Sequence, residues 1–138
     1  MRNSRAFYAK GRIAVLDGDA VWRLSMATFL EKQGFDVETF TDTSEFLAAV
    51  ESFDIALVDY FLPQIQDQPT LYGSDVIAFV KALVDVPPAM VLVSAYFLND
   101  LKFLAPGAEA YLNKTIGFAA ILHQIEQLLS KQVSSKLA

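Results

Sequence analysis

Two rhythms of apolar and polar residues divide this chain. Four short apolar runs each end on a polar residue: Ile13-Ala14-Val15-Leu16 on Asp17, Ile55-Ala56-Leu57-Val58 on Asp59, Val91-Leu92-Val93 on Ser94, and Tyr111-Leu112-Asn113 on Lys114. Short apolar runs bounded by turn signals are what strands look like when both faces of a parallel sheet are covered. A fifth segment, Asp36 to Phe40, alternates and is rich in β-formers, which predicts a further strand.

Between these runs the spacing turns helical. Val21, Leu24, Met26, Ala27, Phe29 and Leu30 predict a helix over 20–33, with Asp19 as N-cap and Gly34 as the residue that ends it. Thr43 or Ser44 starts a short helix to about Ser52, with Phe46, Leu47 and Val50 facing in. A third helix covers Ser74 to about Val84, apolar at Val76, Ile77, Phe79, Val80 and Leu83, and Pro87-Pro88 stops it. A short fourth helix is expected near Asn99 to Ala105, closed by Pro106-Gly107. The fifth runs from about Ile116 to Lys131, with Phe118, Ile121, Leu122, Ile125, Leu128 and Leu129 at helical spacing.

Strands alternating with helices imply a parallel sheet joined by right-handed crossovers. The expected class is α/β: a flavodoxin-like, doubly wound, five-stranded parallel sheet in the order 2-1-3-4-5, with five helices. One domain over 11–131 is expected, with an N-terminal arm at 1–10 and a C-terminal tail at 132–138. A chain of 138 residues has room for one core of this size, not two.

Composition adds limits. At 54% apolar residues and net charge −5 the chain suits a doubly covered sheet. It shows no basic stripe for a nucleic acid. Cysteine is absent, so thiolate and disulfide chemistry are excluded. The opening residues lack an apolar signal-peptide core, and the longest apolar stretch, around Ala89 to Leu98, falls far short of a membrane span. A soluble, cytoplasmic protein is expected.

In an open α/β sheet the ligand site lies outside the carboxyl ends of the strands. Asp17, Asp59, Ser94 and Lys114 should therefore converge on one edge, a set suited to a divalent cation and a phosphoryl group. Each has a plainer role to weigh against this. Asp19 reads first as a helix cap, Ser94 as a capping hydroxyl, and Tyr111 as a core aromatic with a bonded hydroxyl. The single histidine, His123, lies off the apolar stripe and reads as a surface residue. Tyr60, Phe61, Tyr72, Tyr96 and Phe97 flank the site in sequence and divide between core packing and a partner surface.

At these residues the chain resembles the receiver domains of two-component response regulators. The segments LDGD (16–19), LVDYFLP (57–63), LVSAY (92–96) and GAEAYLNK (107–114) occur in the family's order and at nearly its spacing, and the resemblance spans roughly residues 11 to 131. It implies that Asp59 accepts a phosphoryl group from a histidine kinase or phosphotransfer protein. It also implies that Lys114 contacts the phosphate, and that Ser94 and Tyr111 form the switch. Mg²⁺ would be held by Asp17, Asp59 and the backbone carbonyl of Phe61, with Asp19 as a further candidate. A downstream protein target is implied, as is self-association through the face made by the fourth helix, the last strand and the last helix.

Four departures qualify the resemblance. Gly18 stands where the family has a second acidic metal ligand, which predicts weakened Mg²⁺ binding. Thr115 replaces a proline that follows the lysine through a cis bond. A cis Lys-Thr bond costs roughly 3–4 kcal/mol, so a trans loop with a shifted Lys114 is expected. The loop between Pro63 and Gly73 is longer than usual, and the segment from Ser94 to Lys114 slightly short. These departures favour a second reading, a pseudo-receiver that binds proteins without phosphorylation. A third reading, a haloacid-dehalogenase-like phosphatase, matches Asp17-Gly18-Asp19-Ala20-Val21, but that family needs an acidic pair after the lysine. Only Glu126 follows Lys114, so the chain is not expected to be an enzyme. A flavodoxin is excluded because no Ser/Thr/Gly-rich phosphate loop follows the first strand.

Overall fold

The computed structural model describes residues 10–96 and 104–137. Its elements are β1 (Arg12–Leu16), α1 (Ala20–Lys32), β2 (Asp36–Phe40), α2 (Thr43–Ala49) with a 3-10 turn at Val50–Ser52, β3 (Ile55–Asp59), α3 (Gly73–Leu83), β4 (Ala89–Ser94), β5 (Ala110–Asn113), a second 3-10 turn at Lys114–Ile116, and α4 (Phe118–Leu137). The strands form one parallel sheet in the order β2-β1-β3-β4-β5, the expected topology.

The apolar runs divide by parity, because successive strand side chains point to opposite faces. Ile13, Val15, Ile55, Leu57, Val91 and Val93 pack with Met26 and Leu30 of α1 and with Ile121, Ile125 and Leu128 of α4. Ala14, Leu16, Ala56, Val58, Met90 and Leu92 face Phe46 of α2 and Val76, Ile77 and Val80 of α3. Each Val, Leu, Ile, Met or Phe among them contributes roughly 1.5–3 kcal/mol on burial, so the sheet registers are strongly fixed.

Local signals behave as their chemistry requires. The Asp19 carboxylate caps α1 by accepting from Trp22 N–H at 3.2 Å, and Gly34 ends that helix with φ 101°. Asp42 caps α2 through Ser44 N–H at 2.7 Å.

Some expectations need correction. The segment expected as a tail, 132–138, is helical through Leu137, since no glycine or proline after Gly117 stops the helix. The last helix begins at Phe118 rather than Ile116, because Lys114–Ile116 form the 3-10 turn. Four apolar positions of the expected helices are exposed: Val21 and Leu24 on α1, and Phe79 and Leu83 on α3. The expected fourth helix falls mostly outside the described residues. Of its segment only the exposed Leu104 and the buried Ala105 are described.

Candidate functional site

Register brings the acidic residues together. Leu16 pairs with Val58, so β1 and β3 deliver Asp17 and Asp59 side by side at their carboxyl ends. Across β3, Asp59 pairs with Val93, and Ser94 pairs with Asn113 of β5. Asp17, Asp59 and Ser94 are all buried.

Lys114 reaches this edge from the turn after β5. Its Nζ stands 2.7 Å from Asp17 Oδ2 and 3.6 Å from Asp59 Oδ2. The peptide geometry expected of Lys114-Thr115 holds, as no cis peptide bond occurs among the described residues. Asn113 sets the turn instead, its side-chain oxygen accepting from Thr115 N–H at 2.8 Å and from the Thr115 hydroxyl at 2.5 Å. A trans backbone therefore still delivers the lysine to both carboxylates.

The β1–α1 turn is tightly held. Asp17 Oδ1 accepts from Asp19 N–H at 2.8 Å, and the Asp17 carbonyl accepts from Arg23 at 2.7 Å. Asp17 Oδ2 is buried and, although in ion-pair contact with Lys114, makes no contact with hydrogen-bond geometry. Lys114 Nζ also lies 4.7 Å from the centre of the Trp22 ring, an attractive cation–π placement.

Burial pushes the Asp59 carboxyl up to about 7, the adjacent Asp17 charge adds to the rise, and Lys114 opposes it. Two buried carboxylates with a single ammonium are short of positive charge, and a bound cation would relieve both.

Ser94 Oγ accepts from Tyr96 N–H at 3.1 Å, a turn-closing contact. Tyr111 is half-buried, and its hydroxyl donates to the Ala105 carbonyl at 2.5 Å. Asp19 points its carboxylate at the start of α1, in the capping role. Beside Asp59, Tyr60 stacks on Tyr72 at 5.2 Å, and Phe61 meets Tyr96 edge-on at 5.6 Å. Phe61, Tyr72 and Tyr96 are exposed, and Phe97 lies outside the described residues. His123 is exposed on α4.

Among the described residues no group of three or more histidine, cysteine, aspartate or glutamate side chains is placed to hold a metal. A Mg²⁺ ion, however, is commonly bound by one or two carboxylates with water and phosphate completing the shell. Asp17 Oδ2, which faces the Lys114 ammonium at 2.7 Å, and the adjacent Asp59 fit that smaller set.

No family model matches the sequence. Among curated proteins, the chain is 24% identical over 124 residues to the transcriptional regulatory protein CpxR homolog of Haemophilus influenzae, covering 89% of this chain and 52% of that protein. It is 24% identical over 122 residues to the regulatory protein VanRc of Enterococcus gallinarum, covering 87% and 50%. The chain thus spans about half the length of the curated relatives it matches. Among solved structures, a CheY-like response regulator receiver domain protein of Methanospirillum hungatei superposes with a TM-score of 0.76 at 26% identity, covering 90% of this chain and 97% of that one. The response regulator TrrA of Thermotoga maritima, solved in complex with Mg²⁺-BeF, superposes with a TM-score of 0.69 at 21% identity, covering 85% and 97%.

The chain has the fold of CheY-like receiver domains and is similar to response regulators.

Within the receiver fold, three neighbours of the site lie outside the residues that the sequence singled out for it. Trp22 covers Lys114, Arg23 anchors the Asp17 carbonyl, and Pro63 abuts Gly18. Trp22 and Arg23 follow the Asp19 cap by one helical turn or less, so a helix start at Ala20 was the available signal for both. The Pro63 contact joins segments far apart in the chain and left no signal.

Proposed function

We propose that this receiver domain is a phosphoryl acceptor in two-component signalling, with Asp59 as the acceptor. The observation that supports it most is the placement of Lys114 Nζ between Asp17 and Asp59, 2.7 and 3.6 Å from their carboxylates. An Asp59 oxygen attacks the phosphorus of a phosphohistidine on a kinase or phosphotransfer protein. The P–N bond breaks, and the imidazole nitrogen leaves with the electron pair and takes up a proton. There is little covalent chemistry for the protein to perform beyond positioning and charge stabilisation.

Lys114 supplies a point charge for the phosphoryl oxygens, and Ser94, at the end of β4, a hydroxyl. Asp17, Asp59 and the Phe61 carbonyl would hold Mg²⁺, which supplies charge neutralisation at the acceptor. Ionised Asp59 is the nucleophile, and because burial and Asp17 hold its pKa up even beside Lys114, a bound cation would favour the charged form near neutral pH. Output passes through Ser94 and Tyr111 to the face that includes β5 and Leu104, where a second copy or a downstream protein binds.

A phosphatase of the haloacid-dehalogenase type has less support, since Glu126 is exposed on α4. The pseudo-receiver reading draws its support from Gly18, Thr115 and the long loop between Pro63 and Gly73. Intact mass after incubation with an acyl phosphate and Mg²⁺ separates the two. A gain of one phosphoryl mass, lost in Asp59→Asn, supports the acceptor. No gain, or a gain that survives Asp59→Asn, rejects it.

A further inference from the structure

A lysine ammonium is a point charge on a flexible stem, and what surrounds it decides where it rests. Lys114 Nζ is 2.7 Å from Asp17 Oδ2 and 3.6 Å from Asp59 Oδ2, so it rests on the Asp17 side of the pair. The shorter contact lacks hydrogen-bond geometry. Charge attraction alone has no preferred angle. The Asp17 contact therefore leaves the ammonium free to pivot toward Asp59.

Trp22 supplies a further hold. The centre of its ring is 4.7 Å from Nζ, within the range of a cation–π contact. The Lys114 side chain is 10% exposed, and such a contact strengthens as water is excluded. The indole is itself fixed. Its backbone N–H donates to the Asp19 cap at 3.2 Å, and its ring packs on the core between the sheet and α1 and α4. Arg23, the next residue, ties the same turn to the Asp17 carbonyl at 2.7 Å. The indole Nε1 is buried without a hydrogen-bond partner. An unpaired buried donor is costly, so an apolar side chain would fill this place better if packing were the whole role. What an indole adds is its electron-rich face.

We propose that Trp22 is a positioning residue that holds the Lys114 ammonium at its resting place beside Asp17, and thereby biases the site against the phosphorylated form. The proposal rests on the reading of Asp59 as the phosphoryl acceptor. A phosphoryl group there adds negative charge and acceptor oxygens on the far side of the ammonium. Lys114 serves it by moving off the indole. A contact made in one of two states favours that state by its own free energy, so removing the indole favours the loaded site.

Two measurements test this, one with a phosphoryl mimic and one without. Beryllium fluoride with Mg²⁺, a tetrahedral mimic of a phosphoryl group on a carboxylate, gives an equilibrium affinity by calorimetry. Trp22→Leu should bind it about 3–10-fold more tightly than the natural chain, and Trp22→Phe, with a weaker ring face, should fall between them. Unchanged or weaker binding in Trp22→Leu overturns the bias, as does a gain in Trp22→Phe equal to that in Trp22→Leu. If Trp22→Leu does not fold, Trp22→Phe against the natural chain carries the same comparison. Without any ligand, the ε-methylene protons of Lys114 should resonate upfield under the indole ring current in the natural chain, and return to the ordinary lysine position in Trp22→Leu. An ordinary position in the natural chain overturns the hold on the ammonium. Beryllium fluoride bound by no chain, the natural one included, would reject the acceptor reading and the bias together, while the upfield shift would still show the ammonium held by the indole.

Discussion

Asp17 and Asp59 end adjacent strands and share one cation, the Lys114 ammonium, at 2.7 and 3.6 Å. Both carboxylates are buried, and among the described residues Lys114 is the cation ion-paired with them. Removing one partner of a buried ion pair leaves an uncompensated charge, which is strongly destabilising. Lys114→Met should therefore cost about 2–4 kcal/mol in denaturant unfolding at pH 8. The cost should shrink near pH 5, where Asp59 is protonated, and partly vanish when Asp59→Asn is added. An equal cost at both pH values would show that the lysine acts through packing of its stem.

The acidity of Asp59 gives stability a definite pH slope. Its carboxyl lies near 7 in the folded chain against an ordinary 3.8, so between these values the folded state holds a proton that the unfolded state has lost. The contribution of this group is thus fully present below 3.8, declines as pH rises, and is gone above 7. Asp59→Asn, neutral throughout, should be more stable than the natural chain by about 1–3 kcal/mol at pH 8. The difference should close below about pH 4. A constant difference across that window would mean that Asp59 titrates normally.

Tyr111 joins the last strand to the segment before it through one bond, from its hydroxyl to the Ala105 carbonyl. Loss of a hydrogen bond of this kind costs about 1 kcal/mol net. Tyr111→Phe should show that loss, together with faster amide exchange around Ala105 and Ala108, where a backbone bond of 3.1 Å closes the adjacent turn. Exchange unchanged there would assign Tyr111 to packing alone.

The fold was legible because each strand announces itself twice, by an apolar run and by the polar residue that ends it. Val15 and Leu16 serve opposite faces of the sheet, yet both are apolar, which is the mark of a strand covered on both sides. The site was legible for the same reason, since a polar residue ending a central strand has one edge to occupy. Helix ends were harder. Nothing in Gln132 to Leu137 separates a helix that continues from a tail. Exposure was harder still: Val21 and Leu24 share helical spacing with Met26 and Ala27 but face solvent. The packing of Pro63 on Gly18 is a tertiary contact across two loops, and no periodicity encodes it.

The output face offers a test that does not need a known partner. Leu104 is 45% exposed beside the buried Ala105. If this face joins two copies, Leu104→Glu should shift sedimentation toward the monomer at high concentration while circular dichroism stays unchanged. A natural chain that sediments as a monomer at every concentration would remove self-association from the reading and leave a heterologous partner.

Trp22 gives the site a built-in reporter. Lys114 Nζ lies 4.7 Å from its ring centre and simultaneously faces the two carboxylates. A phosphoryl group on Asp59 adds negative charge and strong acceptor oxygens on the Asp59 side of that ammonium. The lysine should then be drawn away from the indole, weakening a contact worth about 0.5–1 kcal/mol or more in a partly desolvated setting. Trp22 is the chain's single tryptophan, so its emission reads this movement without interference from another indole. Acyl-phosphate treatment should change the emission of the natural chain. The change should be absent in Asp59→Asn, and absent in Lys114→Met even where the phosphoryl mass is still gained. An emission change that persists in phosphorylated Lys114→Met would locate the movement in the β1–α1 turn, with Arg23 and the Asp17 carbonyl as its next suspects.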